Sequence, residues 1–166
     1  MIKAPLPTNE KERLESLKNM GILDSQPEER FDKYTKEAAF RLHVPISTIS
    51  IIDADREWYK SCFGIKDKEG RRDVSFCGHA MLNREIFIVE NTLEDERFKD
   101  NPAVVGAPFI RFYAGISLHN SDGFPIGVFC VKDFAPRKLT DGDIATLVDL
   151  ATKVERELNS RNRFFC

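Results

Sequence analysis

The sequence predicts an α+β domain organised on a mostly antiparallel sheet, and three observations carry that prediction. Apolar residues recur at helical spacing near both ends of the chain, over residues 31–42 and 144–158. Between them fall short runs rich in β-branched and aromatic residues: ISTISII, EWYKSCF, IFIV, RFYAGISLH and IGVFCV. Tight turns join several of these runs, and no long helix alternates with them, so neighbouring strands pair antiparallel.

Taken in order, residues 1–8 contain Pro5 and Pro7 and read as a flexible arm. Asn9, with Glu12 three positions on, starts a first helix; Leu14 and Leu17 give it one apolar side and Gly21 stops it. Ser25 and Glu28 form a capping-box pattern around Pro27, so a second helix is expected over about 26–42 on Phe31, Tyr34, Thr35, Ala38, Ala39 and Leu42. Pro45 disfavours helix at the residue before it, and the run 46–52 follows as a strand. Asp53-Ala54-Asp55 turns the chain into 57–63, completing a hairpin. Lys66 to Arg72 is polar and mixed in sign and is expected as a loop. Ser75 caps a short helix to about Leu82, Ile86 to Val89 is an apolar strand, and Asp95 to Asp100 is expected as a helical turn. The strand from Arg111 to His119 alternates, with Phe112, Ala114, Ile116 and Leu118 on one face and Arg111, Tyr113, Gly115 and Ser117 on the other. The turn at 120–123 leads to a partner strand over 126–131. Thr140 with Asp143 caps a last helix, whose stripe runs through Ile144, Leu147, Val148, Ala151, Val154 and Leu158.

At 166 residues one domain is the default, large enough to bury a core without metal or disulfide staples. A net charge of −2 leaves no basic face for a phosphate backbone, so nucleic acid is not an expected partner. No run reaches the roughly 18 apolar residues of a membrane span, and the first twenty residues hold no apolar signal core. The chain therefore reads as cytoplasmic, with no membrane partner. In that compartment Cys62, Cys77, Cys130 and Cys166, with no CxxC among them, read as reduced. Phosphate-binding glycine loops, nucleophile elbows and zinc-protease motifs do not occur, and the acidic clusters at 53–55 and 94–96 lack the spacing of a calcium loop. No metal is expected.

The blocks GILDSQPEERFDKYTKEAA, VPISTISIIDADREWYKSCFG, DVSFCGHAML, ENTLEDERFKDNP, IRFYAGISL and GVFCVKDFAPRKL, in uninterrupted order, resemble the GAF domains of bacterial signalling proteins, the type found with sensor histidine kinases and diguanylate cyclases. The resemblance implies a GAF domain over 9–160 and a tail or linker start over 161–166. It implies a central antiparallel sheet of five or six strands, terminal helices on one face, and a ligand pocket with short helices on the other. It further implies a non-catalytic module for signal transduction that senses a small molecule or dimerises through its terminal helices, upstream of an output domain such as a histidine kinase or diguanylate cyclase. The residue set of cyclic-nucleotide-binding GAF domains is absent. The bilin-attachment pattern is absent too, because Gly78 separates Cys77 from His79. The ligand and any cofactor stay unnamed.

The candidate ligand-binding residues are Trp58, Phe76, Cys77, His79, Asp95, Phe98, Arg111 and Tyr113. An arginine in a partly apolar cavity favours a carboxylate or phosphate, so Arg111 beside Tyr113 is the sharpest pair; the alternative for Arg111 is a structural ion pair with Asp95 or Glu94. On a helix, Cys77 and His79 point roughly 200° apart, so that segment alone holds neither a metal nor a thiolate pair. The alternative function is a thiol-dependent reductase resembling free methionine sulfoxide reductases, using Cys62, Cys77 or Cys130.

Overall fold

A computed structural model describes residues 1–160; the tail expected over 161–166, with Cys166, lies outside the described residues. The first helix, α1 (Glu10–Met20), ends at Gly21, whose φ of 71° lets its N–H reach back to the Lys18 carbonyl. The second, α2 (Glu29–Leu42), starts later than the sequence suggests. The Ser25 hydroxyl donates to the Ile22 carbonyl at 2.5 Å, and the Glu28 carboxylate is drawn to Lys60 Nζ at 2.7 Å and Arg30 Nε at 2.9 Å. Neither half of the expected capping box is left to cap a helix.

The strands are β1 (Ile46–Ile52), β2 (Arg56–Phe63), β3 (Glu69–Arg71), β4 (Phe87–Val89), β5 (Phe112–His119) and β6 (Pro125–Asp133). They form one sheet in the order β3-β2-β1-β6-β5-β4, and every pair is antiparallel. The segment expected as a loop over 66–72 thus contributes an edge strand; three polar residues carry no alternation to announce it. A bulge between Ile49 and Ser50 in the β1–β2 pairing turns both Lys60 and Ser61 toward α2, where Lys60 meets Glu28 and Ser61 meets Asp32.

Between the strands lie α3 (Phe76–Ala80) and α4 (Pro102–Val105), and α5 (Asp141–Leu158) closes the described chain. Ser75 caps α3 by accepting from the Gly78 N–H at 3.0 Å, and Thr140 and Asp143 form the expected capping box on α5. A 3₁₀ turn at Thr92–Glu94 precedes the helical turn expected over 95–100, where the Lys99 and Phe98 N–H groups donate to the Asp95 carbonyl at 2.8 and 3.0 Å, after which Asn101 caps α4. Residues 1–8, expected as a flexible arm, form no helix or strand. They lie against this cover layer, the Ile2 N–H on the Arg97 carbonyl and the Ala4 N–H on that of Asp73.

The sheet separates two cores. On one face α1, α2 and α5 bury Leu17, Phe31, Trp58, Phe129, Leu147 and Val154. On the other, α3, α4 and their loops bury Phe76, Cys77, Phe98, Tyr113, Val128 and Cys130. Period-2 alternation along β5 sorts Phe112 and Ala114 to the helix side and Tyr113 to the other, as the sequence predicts. Each large apolar side chain so buried contributes about 1.5–3 kcal/mol, which places both layers firmly on the sheet.

Candidate functional site

A pocket of about 290 Å³ opens between the sheet and the α3–α4 cover. Ile46 and Lys132 come from neighbouring strands, Glu57 and Tyr59 from β2, and Phe76 and Ile110 from the cover. Most of the wall is apolar. Of its four charged residues, Asp67 and Arg71 are exposed, whereas the opposite charges Glu57 and Lys132 are almost fully buried, at 4% and 8% exposure.

Glu57 is held from one side. The Ser75 hydroxyl donates to its Oε1 at 2.7 Å, so the residue that caps α3 also aims this carboxylate. The other oxygen, Oε2, is buried and has no hydrogen-bond partner among the described residues. Lys132 Nζ makes no hydrogen bond or ion pair among the described residues. Its surroundings are the rings of Phe76 and Tyr113, with centroids at 5.7 and 6.0 Å, at the outer edge of cation–π range. Burial pulls the Lys132 ammonium down, but the Glu57 carboxylate and the neighbouring Cys130 and Tyr59 outweigh it and hold the group above its ordinary value. Lys132 therefore stays charged. Burial, reinforced by Glu57, pushes the Tyr59 hydroxyl up and keeps it a neutral donor.

Lys60, the other buried lysine of the sheet, shows what a satisfied ammonium looks like here: it reaches the Glu28 carboxylate, the Ser25 hydroxyl and the Gln26 carbonyl at 2.6–2.7 Å. An isolated buried charge costs several kcal/mol, so a charge left unpaired in a pocket points toward what the pocket receives.

Below the pocket runs a buried polar chain. The Tyr113 hydroxyl donates to Cys77 Sγ at 3.1 Å, Cys77 Sγ lies 3.6 Å from the Ser50 hydroxyl, and Thr48 links Ser50 to Cys130 Sγ at 2.7 and 3.0 Å. Residue 115 has to be glycine for this to fit, since a Cβ there would stand 2.4 Å from the Tyr113 hydroxyl. Burial pushes the Cys77 thiol well up, and Cys77 and Cys130 are both sealed from solvent. Cys62 is half-buried; burial, partly offset by a hydrogen bond to the Ile65 carbonyl, pushes its thiol up to about 11. No group of three or more His, Cys, Asp or Glu side chains arranged to hold a metal occurs among the described residues.

The GAF domain of an Acinetobacter phosphoenolpyruvate-protein phosphotransferase superposes with a TM-score of 0.61 at 18% identity, covering 89% of this chain and 92% of that one. The chain has the GAF fold. A type II free methionine-R-sulfoxide reductase of Thermoplasma acidophilum shares it, with a TM-score of 0.62 at 12% identity over 76% of this chain and 88% of that one. In sequence, the chain is 35% identical over 161 residues to a cyclic di-GMP phosphodiesterase of Pseudomonas aeruginosa. That alignment covers 96% of this chain and spans only 27% of the relative's length. No family model matches the chain.

Within the GAF fold the eight candidate residues separate. Phe76 lines the pocket and stacks on Phe98 and Tyr113 at centroid distances of 4.5 and 5.3 Å. Phe98, Tyr113 and Cys77 form the packed layer behind it. His79 binds the Ile2 carbonyl through Nε2 at 2.9 Å and meets Phe98 edge-on. Asp95 is paired with Arg97 at 2.7 Å, not with Arg111. Arg111, expected to project toward ligand or to pair with Asp95 or Glu94, donates instead to the carbonyls of Val104 and Ile110. Its backbone precedes β5, where alternation no longer governs direction. Trp58 lies in the helix-face core.

Sequence reasoning missed Glu57 and Lys132. The signal was present for Lys132, a lone cation continuing the apolar run GVFCV, but the expected strand stopped at Val131 and left it outside.

Proposed function

We propose that this GAF domain is a regulatory, non-catalytic module that senses a small molecule in the pocket beneath α3 and α4 and passes the state of that pocket to its terminal helices. The observation that carries the reading is a pair of opposite charges on buried residues of one pocket, Glu57, whose Oε2 is buried and unsatisfied, and Lys132, whose Nζ has no hydrogen-bond or ion-pair partner among the described residues. The route outward is short. Glu57 accepts from Ser75, the Ser75 N–H donates to the Arg72 carbonyl at 3.0 Å, and the Arg72 guanidinium bonds Glu10 of α1. A ligand that engages Glu57 alters the hold on Ser75 and the start of α3, and by linkage biases the seat of α1.

The rest of the reading follows from that mechanism. The domain occupies 9–160, copies of it pair through the terminal helices, and an output domain of the kinase, diguanylate cyclase or phosphodiesterase kind receives the signal in the cytoplasm. The long phosphodiesterase relative fits a module of this size attached to such a partner. Exposed Phe40 on α2 and Val148 on α5 offer apolar contacts for pairing. Among the described residues no helix is long and apolar enough to cross a membrane.

Native mass spectrometry of the purified protein tests the sensing claim: a small molecule retained by the folded protein and lost on denaturation supports it. Light scattering tests the pairing, and a monomer at micromolar concentration refutes it.

The alternative reading, a thiol-dependent reductase, draws on the reductase fold neighbour and on Cys77 and Cys130 sharing one polar chain. Against it stand the complete burial of both sulfurs and a Cys77 thiol held neutral, since attack needs an accessible thiolate. Thiol-dependent reduction of free methionine sulfoxide, abolished by Cys77→Ser or Cys130→Ser, establishes the reductase; an inactive parent chain removes it.

A further inference from the structure

Resting on the sensing reading above, the geometry points to the class of ligand: we infer that the pocket receives a small zwitterion of amino-acid size, its carboxylate on Lys132 and its ammonium on Glu57. Each of the two buried charges on the pocket wall asks for a partner of opposite sign. Among the described residues Lys132 Nζ, on a residue 8% exposed, has no hydrogen-bond or ion-pair partner, and the buried Glu57 Oε2 has no donor. Both line the same pocket, yet no ion pair joins them. The space between them belongs to something else.

Elimination by charge is direct. A dicarboxylate or a phosphate ester satisfies Lys132 and sets a second anion against Glu57. A diamine does the reverse. A neutral ligand leaves both charges desolvated and unpaired, which is the costly state. Only a molecule with one group of each sign satisfies both ends. Size agrees: about 290 Å³ lies at the small end of ligand pockets, suited to a single amino acid. The walls contributed by Ile46, Phe76, Ile110 and Ala103 favour an apolar side chain, and the ring of Tyr59 closes the same wall.

The ligand series that tests this needs no variant of the protein. L-methionine, L-leucine and L-phenylalanine are titrated into the whole chain by calorimetry, beside the N-acetyl amino acids, which keep only the carboxylate, and the amino-acid amides, which keep only the ammonium. At least one parent amino acid is expected to bind saturably, with its N-acetyl and amide forms weaker by roughly 10- to 100-fold, the scale of one lost charge-assisted hydrogen bond. Lys132→Met should remove the preference over the amide, and Glu57→Gln the preference over the N-acetyl form. An N-acetyl form binding as tightly as its parent, or cyclic di-GMP or GMP binding saturably where none of the three amino acids binds, overturns the zwitterion and leaves pocket sensing standing. No saturable binding from any of these probes, together with no co-purified molecule, overturns both readings.

Discussion

Replacing Glu10 with Gln tests the link between the first helix and the pocket cover. The Glu10 carboxylate faces two guanidinium groups that are almost entirely out of solvent: the side chains of Arg13 and Arg72 are 0% and 3% exposed. Arg13 Nε donates to Oε1 at 2.7 Å, and Arg72 bonds Oε2. Gln preserves the shape and removes the charge. The two cations then share only dipolar acceptors, the Pro125 carbonyl for Arg13 and the Asp53 carbonyl for Arg72. Breaking a buried ion pair from one side costs about 3–5 kcal/mol. Glu10 is itself 18% exposed, so partial solvation favours the lower end, about 3 kcal/mol. For a domain of this size that is a fall in Tm of about 6–12 °C, or of about 1.5 M in urea midpoint at a slope near 2 kcal/mol/M. Fluorescence of Trp58, buried under the helices, follows the transition. Although burial raises the Glu10 carboxyl, bonds and charge from Arg13 and Arg72 prevail and hold it below its ordinary 4.5. A depressed carboxyl contributes its full stability above that ordinary value and loses it as pH falls through the folded-state value. The gap between wild type and E10Q is therefore complete at pH 7 and shrinks below pH 4.5. A loss under about 1 kcal/mol at pH 7, the scale of an exposed pair, refutes the claim that these charges are bound in a buried network.

Three further outcomes are expected. Gly127→Ala should cost about 3 kcal/mol or more and deplete soluble protein, because its Cβ would stand 2.1 Å from the Ser50 carbonyl and force β1 from β6; Gly142→Ala, with 3.7 Å to its nearest atom, serves as the benign control in the same melting assay. Iodoacetamide mapping by mass spectrometry should modify Cys62 slowly in the native protein, and Cys77 and Cys130 only with urea present, as their burial requires; labelling of Cys77 in the folded state contradicts the sealed polar chain. Burial pulls His79 below its ordinary 6.5 despite its bond to the Ile2 carbonyl, so the unfolded chain takes the proton first and stability falls as pH drops below 6.5. Melting temperatures between pH 7.5 and 5.5 should decline less in His79→Gln than in wild type, and equal slopes refute the assignment.

The fold was legible because its signals are periodic and redundant. The stripe from Ile144 to Leu158 and the alternation of Phe112 with Tyr113 each repeat a decision several times over, and the structure sorts them accordingly. Single-residue decisions fared differently. Ser25 and Glu28 match a helix cap in sequence, yet Lys60, brought in by the bulge in β2, supplies a charged partner that local spacing does not disclose. Arg111 looked like a pocket residue by alternation but sits before the strand begins. The pocket charges were hidden for the opposite reason: Glu57 and Lys132 belong to different strands, and only the β2-β1-β6 order brings them to one cavity.

The strand order has one more consequence, at its margins. Both outermost strands, β3 and β4, are three residues long, while the four between them run to seven residues or more. Each margin therefore offers only about 10 Å of unpaired backbone to another chain, and β3 flanks its stretch with Glu69 and Arg71. Ribbons this short, one of them charged, are poor templates for strand addition, which protects the sheet from growing by accretion into fibrils. An incoming chain has to find its purchase elsewhere, and the broad surfaces left to it are helical.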